Sequence, residues 1–287
     1  MNSLEYVNVP KRGRVSVNFA LRHGPKERNV GEGREVPLTP QGEKDARAHA
    51  IKIRNFIGLQ RIGAITLQYS QTIRAKNTTS LVFDGLSAAE NILTRTQESE
   101  YLNQSAQNWG VSDYGKEFEQ IRLVGLNSDL NPPELMIWML EKSDMTKLRL
   151  GSTDPNDETF SEIASRIATL TLDLLDEHKQ DKDKSNLALN ILCTHCSVME
   201  CFLAKVIEFT KDHEEALRFM KSIGRGFDCL EGLKIIFDTD REGQTGVSVW
   251  FGNKDFRFFE KVPVEILQEI KSGFTGSKLE ELRKNNY

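Results

Sequence analysis

The sequence has few of the features that mark several specialised protein classes. Four cysteines in 287 residues are too few for a disulfide framework, and three of them (Cys193, Cys196 and Cys201) lie in one short stretch. This usage predicts a reducing compartment. No run approaches the roughly 20 consecutive apolar residues of a membrane span, and the opening MNSLEYVNVPKRGRV lacks the apolar segment of a signal peptide. We therefore expect a cytoplasmic protein without a membrane partner.

An excess of positive charge is also missing. The chain has 38 basic and 42 acidic residues, a net charge of −4, and no Lys/Arg-rich run. Nucleic-acid binding normally needs a basic patch, so we expect no nucleic-acid partner. The hydrophobic fraction of 38% is that of an ordinary globular protein, and the length allows one large α/β domain or two small ones.

Short β-rich apolar runs alternate with segments of helical periodicity. This alternation is typical of an α/β fold with a mostly parallel sheet and helices on both faces. The predicted strands are 15–21, 64–69, 91–96, 187–192, 233–238, 247–251 and 256–259, and the clearest helices are 133–142, 158–177 and 264–271.

Helix ends are signalled by capping residues. Thr39 and Pro40 predict the start of a helix that Gly58 ends. Ser70 predicts another helix start, and the sequence 197–200 reads as a capping box. Asp212 predicts a further helix start. Three of the five histidines fall on predicted helices or in charged connections, where we expect surface roles: His49, His178 and His213.

Three motifs stand at the carboxyl ends of predicted strands. They are Arg22-His23-Gly24, the segment from Ser70 to Arg74, and Thr194-His195. Open α/β sheets bind their ligands at this edge, so we expect the three motifs to converge. The tripeptide alone is weak evidence, because a histidine beside an arginine is more often structural.

Five segments resemble, in order and spacing, the histidine phosphatase (phosphoglycerate mutase-like) superfamily. They are FALRHG at 19–24, LTPQGEKDA at 38–46, SQTIRAKNT at 70–78, ETFSEIASR at 158–166 and ILCTH at 191–195. The resemblance implies a three-layer α/β/α sandwich with a mostly parallel central sheet and a helical insertion over the active site. One domain would cover 1–287, with the looser stretch 101–156 as insertion or lid.

The same resemblance implies a metal-independent phosphoric monoester hydrolase with no cofactor. Its substrate would be a phosphorylated small molecule or a phosphoprotein, and a homodimer is the assembly to test. His23 would become a phosphohistidine that water then hydrolyses. A neutral imidazole attacks phosphorus only if one nitrogen is free and the other is held.

A phosphoryl group in transfer spreads negative charge over three oxygens, so several fixed donors must surround it. Arg22 and Arg74 offer planar forks that suit phosphate. His195 adds a donor and a catalytic partner for His23. Asn29, six residues after His23, is a further expected phosphate contact.

The superfamily carries a carboxylic acid shortly after the third strand, where it protonates the leaving alcohol. Glu98 is our first choice because it most directly follows the predicted strand, and Glu100 is the alternative. The other of the two would be a solvated surface carboxylate. We expect Arg166 to form a structural ion pair rather than to contact substrate.

One departure from the family pattern is Cys196, which follows His195 where glycine is common. With Cys193 it forms a Cys-x-x-Cys spacing that also occurs in zinc and redox sites. We favour neither, because Cys193 belongs to a buried strand and no second pair exists. An oxidation-sensitive Cys196 thiol beside the pocket is a separate hypothesis.

Two other functions stay open within the resemblance. A cofactor-dependent phosphoglycerate mutase is disfavoured by the loop 25–28, which differs from the mutase pattern. A catalytically inactive phosphate-binding relative is the third reading, because matching residue types do not prove geometry. The substrate itself does not follow from the sequence.

Overall fold

The structure is a computed structural model that describes residues 14–27, 34–58, 61–87, 93–104, 111–126, 134–180, 187–224 and 226–273. The strands in these ranges are β1 (Arg14–Arg22), β2 (Ile62–Tyr69), β3 (Leu93–Glu98), β4 (Leu187–Thr194), β5 (Gly232–Thr239), β6 (Thr245–Gly252) and β7 (Arg257–Lys261). The helices are α1 (Pro40–Ile57), α2 (Ile73–Ser87), α3 (Asp113–Leu126), α4 (Glu134–Leu150), α5 (Phe160–Gln180), α6 (Val198–Thr210), α7 (His213–Ser222) and α8 (Val264–Ser272). None of these helices combines the length and the apolar character that a membrane span requires.

All seven strands belong to one sheet, in the order β3-β2-β4-β1-β5-β6-β7. The four strands β3, β2, β4 and β1 are parallel to their neighbours. The last three strands extend the sheet by antiparallel pairing, first of β5 with β1 and then along the chain. The sheet is therefore largely but not wholly parallel.

Helices cover both faces of the sheet. Side chains alternate along a strand, so Val15, Val17 and Phe19 of β1 pack on one side with α1 and α2. Ala20 points to the other side, into a core built by α3 to α8. The predicted three-layer α/β/α sandwich is thus confirmed.

The capping predictions hold for two helices. At the start of α1, the Thr39 side chain accepts a hydrogen bond from the Gly42 backbone N–H, and Gly58 ends the helix with φ of 64°. Asp212 likewise accepts from the Glu215 N–H at the start of α7.

The cap predicted at Ser70 is wrong, and the capping box predicted at 197–200 is confirmed only as the start of a helix. Helix α2 begins at Ile73, and Thr72 rather than Ser70 accepts from the first turn, through its Oγ1 at 3.4 Å from the Ala75 N. Ser197 precedes α6 but has φ of 71° and no side-chain cap. In both cases the serine hydroxyl forms its hydrogen bond with a group just after the end of β4 instead.

The described part of the stretch 101–156 contains α3 and α4. Trp138 of α4 is 6% exposed and lies against the rings of Tyr114 and Phe118, so it is a core residue rather than a substrate platform. Helix α4 packs on α5, α6 and α7. A lid function for this insertion stays a prediction.

The expected surface position is wrong for two histidines. His178 is 3% exposed, with Nδ1 2.6 Å from Ser16 Oγ and Nε2 2.9 Å from Thr239 Oγ1. His49 is also buried. Both histidines lie on the inner faces of their helices. The charged residues beside them in the sequence led to the prediction of a surface position. His213 is exposed, as expected.

Candidate active site

The three strand-end motifs converge at one edge of the sheet. The His23 N–H donates to the Thr194 carbonyl at 3.0 Å, which joins the end of β1 to the end of β4. The Ser70 N–H donates to the Cys193 carbonyl at 3.1 Å, which joins the end of β2 to the same strand. His195 follows directly, so parallel strands bring both histidines to one place.

His23 is held in one tautomer. Its Nδ1 lies 2.7 Å from the Gly24 carbonyl oxygen, which can only accept, so Nδ1 carries the hydrogen. Its Nε2 lies 3.2 Å from Arg74 Nε, which can only donate. Nε2 therefore keeps its lone pair, and this is the nitrogen that can attack an electrophile.

His195 is held in the opposite sense. Its Nδ1 lies 3.4 Å from Arg74 Nη2, a donor, so Nδ1 accepts. Its Nε2 then donates to Ser70 Oγ at 2.7 Å, and that hydroxyl lies 3.2 Å from Thr72 Oγ1. The ring centroids of His195 and His23 are 5.2 Å apart.

Both imidazoles are neutral at physiological pH. Burial, reinforced by the positive charges of Arg74 and Arg22, lowers the pKa of His23 to about 3 against the opposing effect of the Gly24 carbonyl. Burial, followed by the nearby imidazole of His23 and the positive charge of Arg74, lowers the pKa of His195 well below its usual value. A neutral His23 is the form that a nucleophile requires.

Arg74 is the shared centre of this group. It is the second residue of α2 and only 4% exposed. Besides the two histidines, its Nη2 lies 3.5 Å from Gln104 Oε1. Gln104 could not be identified from the sequence, because an isolated glutamine in the stretch interpreted as a lid has no distinctive neighbours. An amide can bind substrate but cannot release a proton as an acid.

Close packing explains why Gly24, Gly42 and Thr78 occupy their positions in the sequence motifs. The Gly24 N–H donates to Thr78 Oγ1 at 3.1 Å, and that hydroxyl donates to the Arg74 carbonyl at 2.8 Å. A Cβ on Gly42 would lie 2.5 Å from the Pro25 carbonyl oxygen. The loop after His23 is therefore fixed against both α1 and α2, and Thr78 is a positioning residue that sequence reasoning missed.

Arg22 is adjacent to His23 but is anchored elsewhere. Its Nη1 donates to the Phe227 carbonyl, and its Nε is buried without a hydrogen-bond partner among the described residues. A phosphate contact by Arg22 stays a prediction. So does the contact by Asn29, which lies outside the described residues.

Cys196 is half-buried and lies next to Arg22 and the buried Glu200. Burial, with the charge of Glu200, raises the pKa of the Cys196 thiol to about 12, while Arg22 opposes the shift. Glu200 is fully buried, and its Oε1 accepts from the Phe227 N–H at 2.7 Å. A protonated thiol is a poor nucleophile, so the raised pKa disfavours oxidation, whereas the partial exposure of Cys196 favours it; the oxidation sensitivity of Cys196 stays a prediction.

Glu98 and Glu100 are exposed and face a different pocket. Glu98 is the last residue of β3, which ends two residues later than predicted, and Glu100 begins the following 3₁₀ turn (Glu100–Leu102). Both line a pocket whose walls include neither Arg74 nor the two histidines. Their role as the acid stays a prediction.

Arg166 forms the structural ion pair that we expected. Its guanidinium contacts both carboxylate oxygens of Glu158, at 2.8 and 2.9 Å. Its Nη1 also donates to the carbonyls of Glu100, Tyr101 and Asn103, at 3.2, 2.6 and 3.0 Å. Arg166 thereby holds the turn that leads to Gln104.

No protein-family model matches the sequence, and no curated protein matches it. Solved structures do match in fold. They include histidine phosphatases and a phosphoglycerate mutase. A mycobacterial glucosyl-3-phosphoglycerate phosphatase is 16% identical, over 84% of this chain and 100% of its own, with a TM-score of 0.47.

Two further matches are more distant. A phosphoglycerate mutase from Plasmodium falciparum is 13% identical over 85% of this chain and 94% of its own, with a TM-score of 0.38. The protein histidine phosphatase SixA, in complex with tungstate, is 12% identical over 80% and 93%, with a TM-score of 0.39. Such likenesses concern the fold alone and carry no argument about activity.

Proposed function

We propose that this protein is a histidine phosphatase, a phosphohydrolase that transfers a phosphoryl group first to His23 Nε2 and then to water. The observation that carries the proposal is the state of His23. Its Nδ1–H is held by the Gly24 carbonyl, its Nε2 is unprotonated, and Arg74 lies beside that nitrogen. A buried neutral imidazole facing an arginine suits attack on an anionic phosphoester.

The reaction has two steps. In the first, the Nε2 lone pair forms a bond to phosphorus while the phosphorus–oxygen bond to the alcohol breaks, and the alcohol oxygen takes a proton from the carboxylic acid of Glu98 or Glu100. In the second, water gives a proton to that carboxylate and its oxygen attacks phosphorus, the nitrogen–phosphorus bond breaks, and inorganic phosphate leaves with the acid restored. Arg74 and the unpartnered Nε of Arg22 supply positive charge to the phosphoryl oxygens. The proposal includes no metal ion.

The phosphoenzyme is the direct test. Incubation with a labelled phosphoester followed by denaturation should trap an acid-labile, base-stable phosphoprotein in the wild type. We expect none in His23→Ala and an unchanged amount in His213→Ala, which removes an exposed histidine outside the site. A wild-type enzyme that hydrolyses the ester while His23→Ala forms the same adduct would contradict the proposal.

Separate measurements test metal independence and the choice among a phosphatase, a mutase and a catalytically inactive binding protein. Activity on an aryl phosphate should survive EDTA, and inorganic phosphate should accumulate in proportion to substrate loss. Transfer of phosphate to a second hydroxyl without its release would indicate a mutase. No turnover of any phosphoester would indicate a binding protein. The cytoplasmic location and a homodimer stay predictions.

Glu98 and Glu100 remain our candidates for the proton donor. Glu98→Gln and Glu100→Gln should be compared on an alkyl phosphate and on p-nitrophenyl phosphate. Loss of the acid should slow alkyl ester cleavage about 100-fold or more, with a much smaller effect on the nitrophenyl ester, whose leaving group needs no proton. Equal losses on both esters, or none, would exclude that residue as the acid.

A further inference from the structure

One fully buried carboxylate near Arg22 has no part in the proposed reaction. Glu200 belongs to the first turn of α6 and is 0% exposed. Its Oε1 accepts a hydrogen bond from the Phe227 backbone N–H at 2.7 Å. Removing a carboxylate from water is costly unless the protein provides partners for it, so the contacts of Glu200 need an explanation.

Phe227 connects Glu200 to Arg22. The Phe227 N–H donates to Glu200, and the Phe227 carbonyl accepts from Arg22 Nη1. The same short segment also holds the Arg22 backbone. The Arg22 N–H donates to the Glu231 carbonyl at 2.9 Å, and the Arg22 carbonyl accepts from the Leu230 N–H at 3.1 Å. Arg22 is therefore anchored on this segment through both its backbone and its guanidinium.

The aromatic ring of Phe227 is fixed independently of its backbone. The residue is 1% exposed, and its ring stacks on the ring of Phe251 with the centroids 4.8 Å apart. Two side-chain torsions separate such a ring from the backbone, so its packing leaves the backbone groups free to rotate. The hydrogen bond from the Phe227 N–H to Glu200 restrains that backbone directly.

Glu200 fits this segment closely and is complementary to Arg22 in charge. Gly226 has φ of +109°, and a Cβ at this position would lie 2.8 Å from Glu200 Oε1. Burial raises the pKa of the Glu200 carboxyl, whereas the Phe227 N–H and the positive charge of Arg22 oppose that shift. Close packing, a hydrogen bond and charge therefore all place Glu200 against the residues that anchor Arg22.

We propose that Glu200 is a positioning residue for Arg22. By holding the Phe227 N–H, it keeps the Phe227 carbonyl where that carbonyl anchors the Arg22 guanidinium, so that the guanidinium can meet the phosphoryl oxygens beside His23. The inference rests on the proposed function, because it assigns Arg22 to phosphate binding. What matters in this role is the acceptor oxygen and its reach, rather than the negative charge of Glu200.

Two substitutions separate reach from charge. Glu200→Asp keeps the charge but withdraws the carboxylate by one carbon–carbon bond, about 1.5 Å, away from the Phe227 N–H. Glu200→Gln keeps the length and an acceptor oxygen but removes the charge. Calorimetric titration of the folded variants with inorganic phosphate should show binding about tenfold weaker than that of the wild type for Glu200→Asp. Glu200→Gln should bind within about threefold of the wild type.

A double-mutant cycle tests whether Glu200 acts through Arg22. Arg22→Met should itself weaken phosphate binding, and the addition of Glu200→Asp should weaken it no further. The values of kcat/KM on an aryl phosphate should follow the same pattern. A merely structural Glu200 would lower the midpoint of urea unfolding without changing the phosphate affinity of the folded protein. Glu208→Asp is the matched control and should bind phosphate like the wild type, because Glu208 lies later on α6 and pairs with Lys205 and His213.

The outcomes distinguish this inference from the proposed function. Losses that add independently in the cycle would overturn the inference, as would weaker phosphate binding by Glu200→Gln than by Glu200→Asp. Hydrolysis by the wild type together with unchanged phosphate binding by Glu200→Asp would overturn the inference alone. A wild type that binds phosphate but hydrolyses no phosphoester would contradict the proposed function, and the cycle would still test the role of Glu200. A wild type that does not bind phosphate would contradict both.

Discussion

Acidification should destabilise the protein through His23, and replacement of His23 should remove that part of the effect. The folded state holds this imidazole neutral, with a pKa of about 3 instead of 6.5. In the unfolded chain the imidazole takes up a proton once the pH falls below 6.5. The stability that the neutral form contributes is therefore fully present above pH 6.5 and is lost as the pH falls towards 3.

The magnitude follows from the same two values. Between pH 7 and pH 5, a group with these pKa values loses about 2 kcal/mol of the free energy of unfolding. Urea denaturation in phosphate-free buffer at both pH values measures it. His23→Asn keeps a donor for the Gly24 carbonyl but cannot titrate, so its loss of stability should be smaller than that of the wild type by about 2 kcal/mol.

The buried histidines His49 and His195 also have lowered pKa values and titrate with the same sign, so the comparison must be with His23→Asn rather than with a fixed expectation for the wild type. His195 contributes in this way. His213→Asn, which replaces an exposed histidine, controls for the general effect of the substitution. Equal losses of stability in the wild type and His23→Asn would refute the description of His23 as a buried neutral imidazole.

Three further substitutions have defined outcomes. Gly226→Ala should lower the free energy of unfolding by about 2–4 kcal/mol in urea denaturation, because φ is +109° and the new Cβ would lie 2.4 Å from Cys196 Sγ; an unchanged midpoint would contradict this geometry. Arg166→Ala should speed limited proteolysis near residues 100–104, since three carbonyls lose their donor; an unchanged cleavage pattern would count against it. Ser70→Ala should reduce kcat on an aryl phosphate about tenfold by releasing His195 Nε2, and a kcat equal to that of the wild type would show that this hydrogen bond does not position the ring.

The sequence was a good guide to the elements and to the motifs at the ends of β1, β2 and β4. Hydrophobic periodicity determines which segments are buried, and buried parallel strands must place their carboxyl ends together. The strand limits were less well predicted. β3 includes Glu98, because pairing with Tyr69 of β2 continues past the apolar run.

The hydrogen-bond partners of individual side chains could not be predicted from the sequence. Ser70 has the composition of a helix cap, yet its hydroxyl is used by His195, which is 125 positions away. Gln104 reaches Arg74 because the turn that precedes it is held by Arg166. Local patterns cannot reveal such contacts, since each depends on where distant strands end.

The position of Arg74 between two imidazoles has a consequence for ligand release. Its Nε and Nη2 donate to His23 Nε2 and His195 Nδ1. An entering phosphate exchanges those hydrogen bonds for its own, so the net gain comes from charge rather than from the number of bonds. When inorganic phosphate departs, the guanidinium returns to the two rings and no donor is stranded. Under the proposed function, this arrangement favours rapid turnover with weak retention of inorganic phosphate.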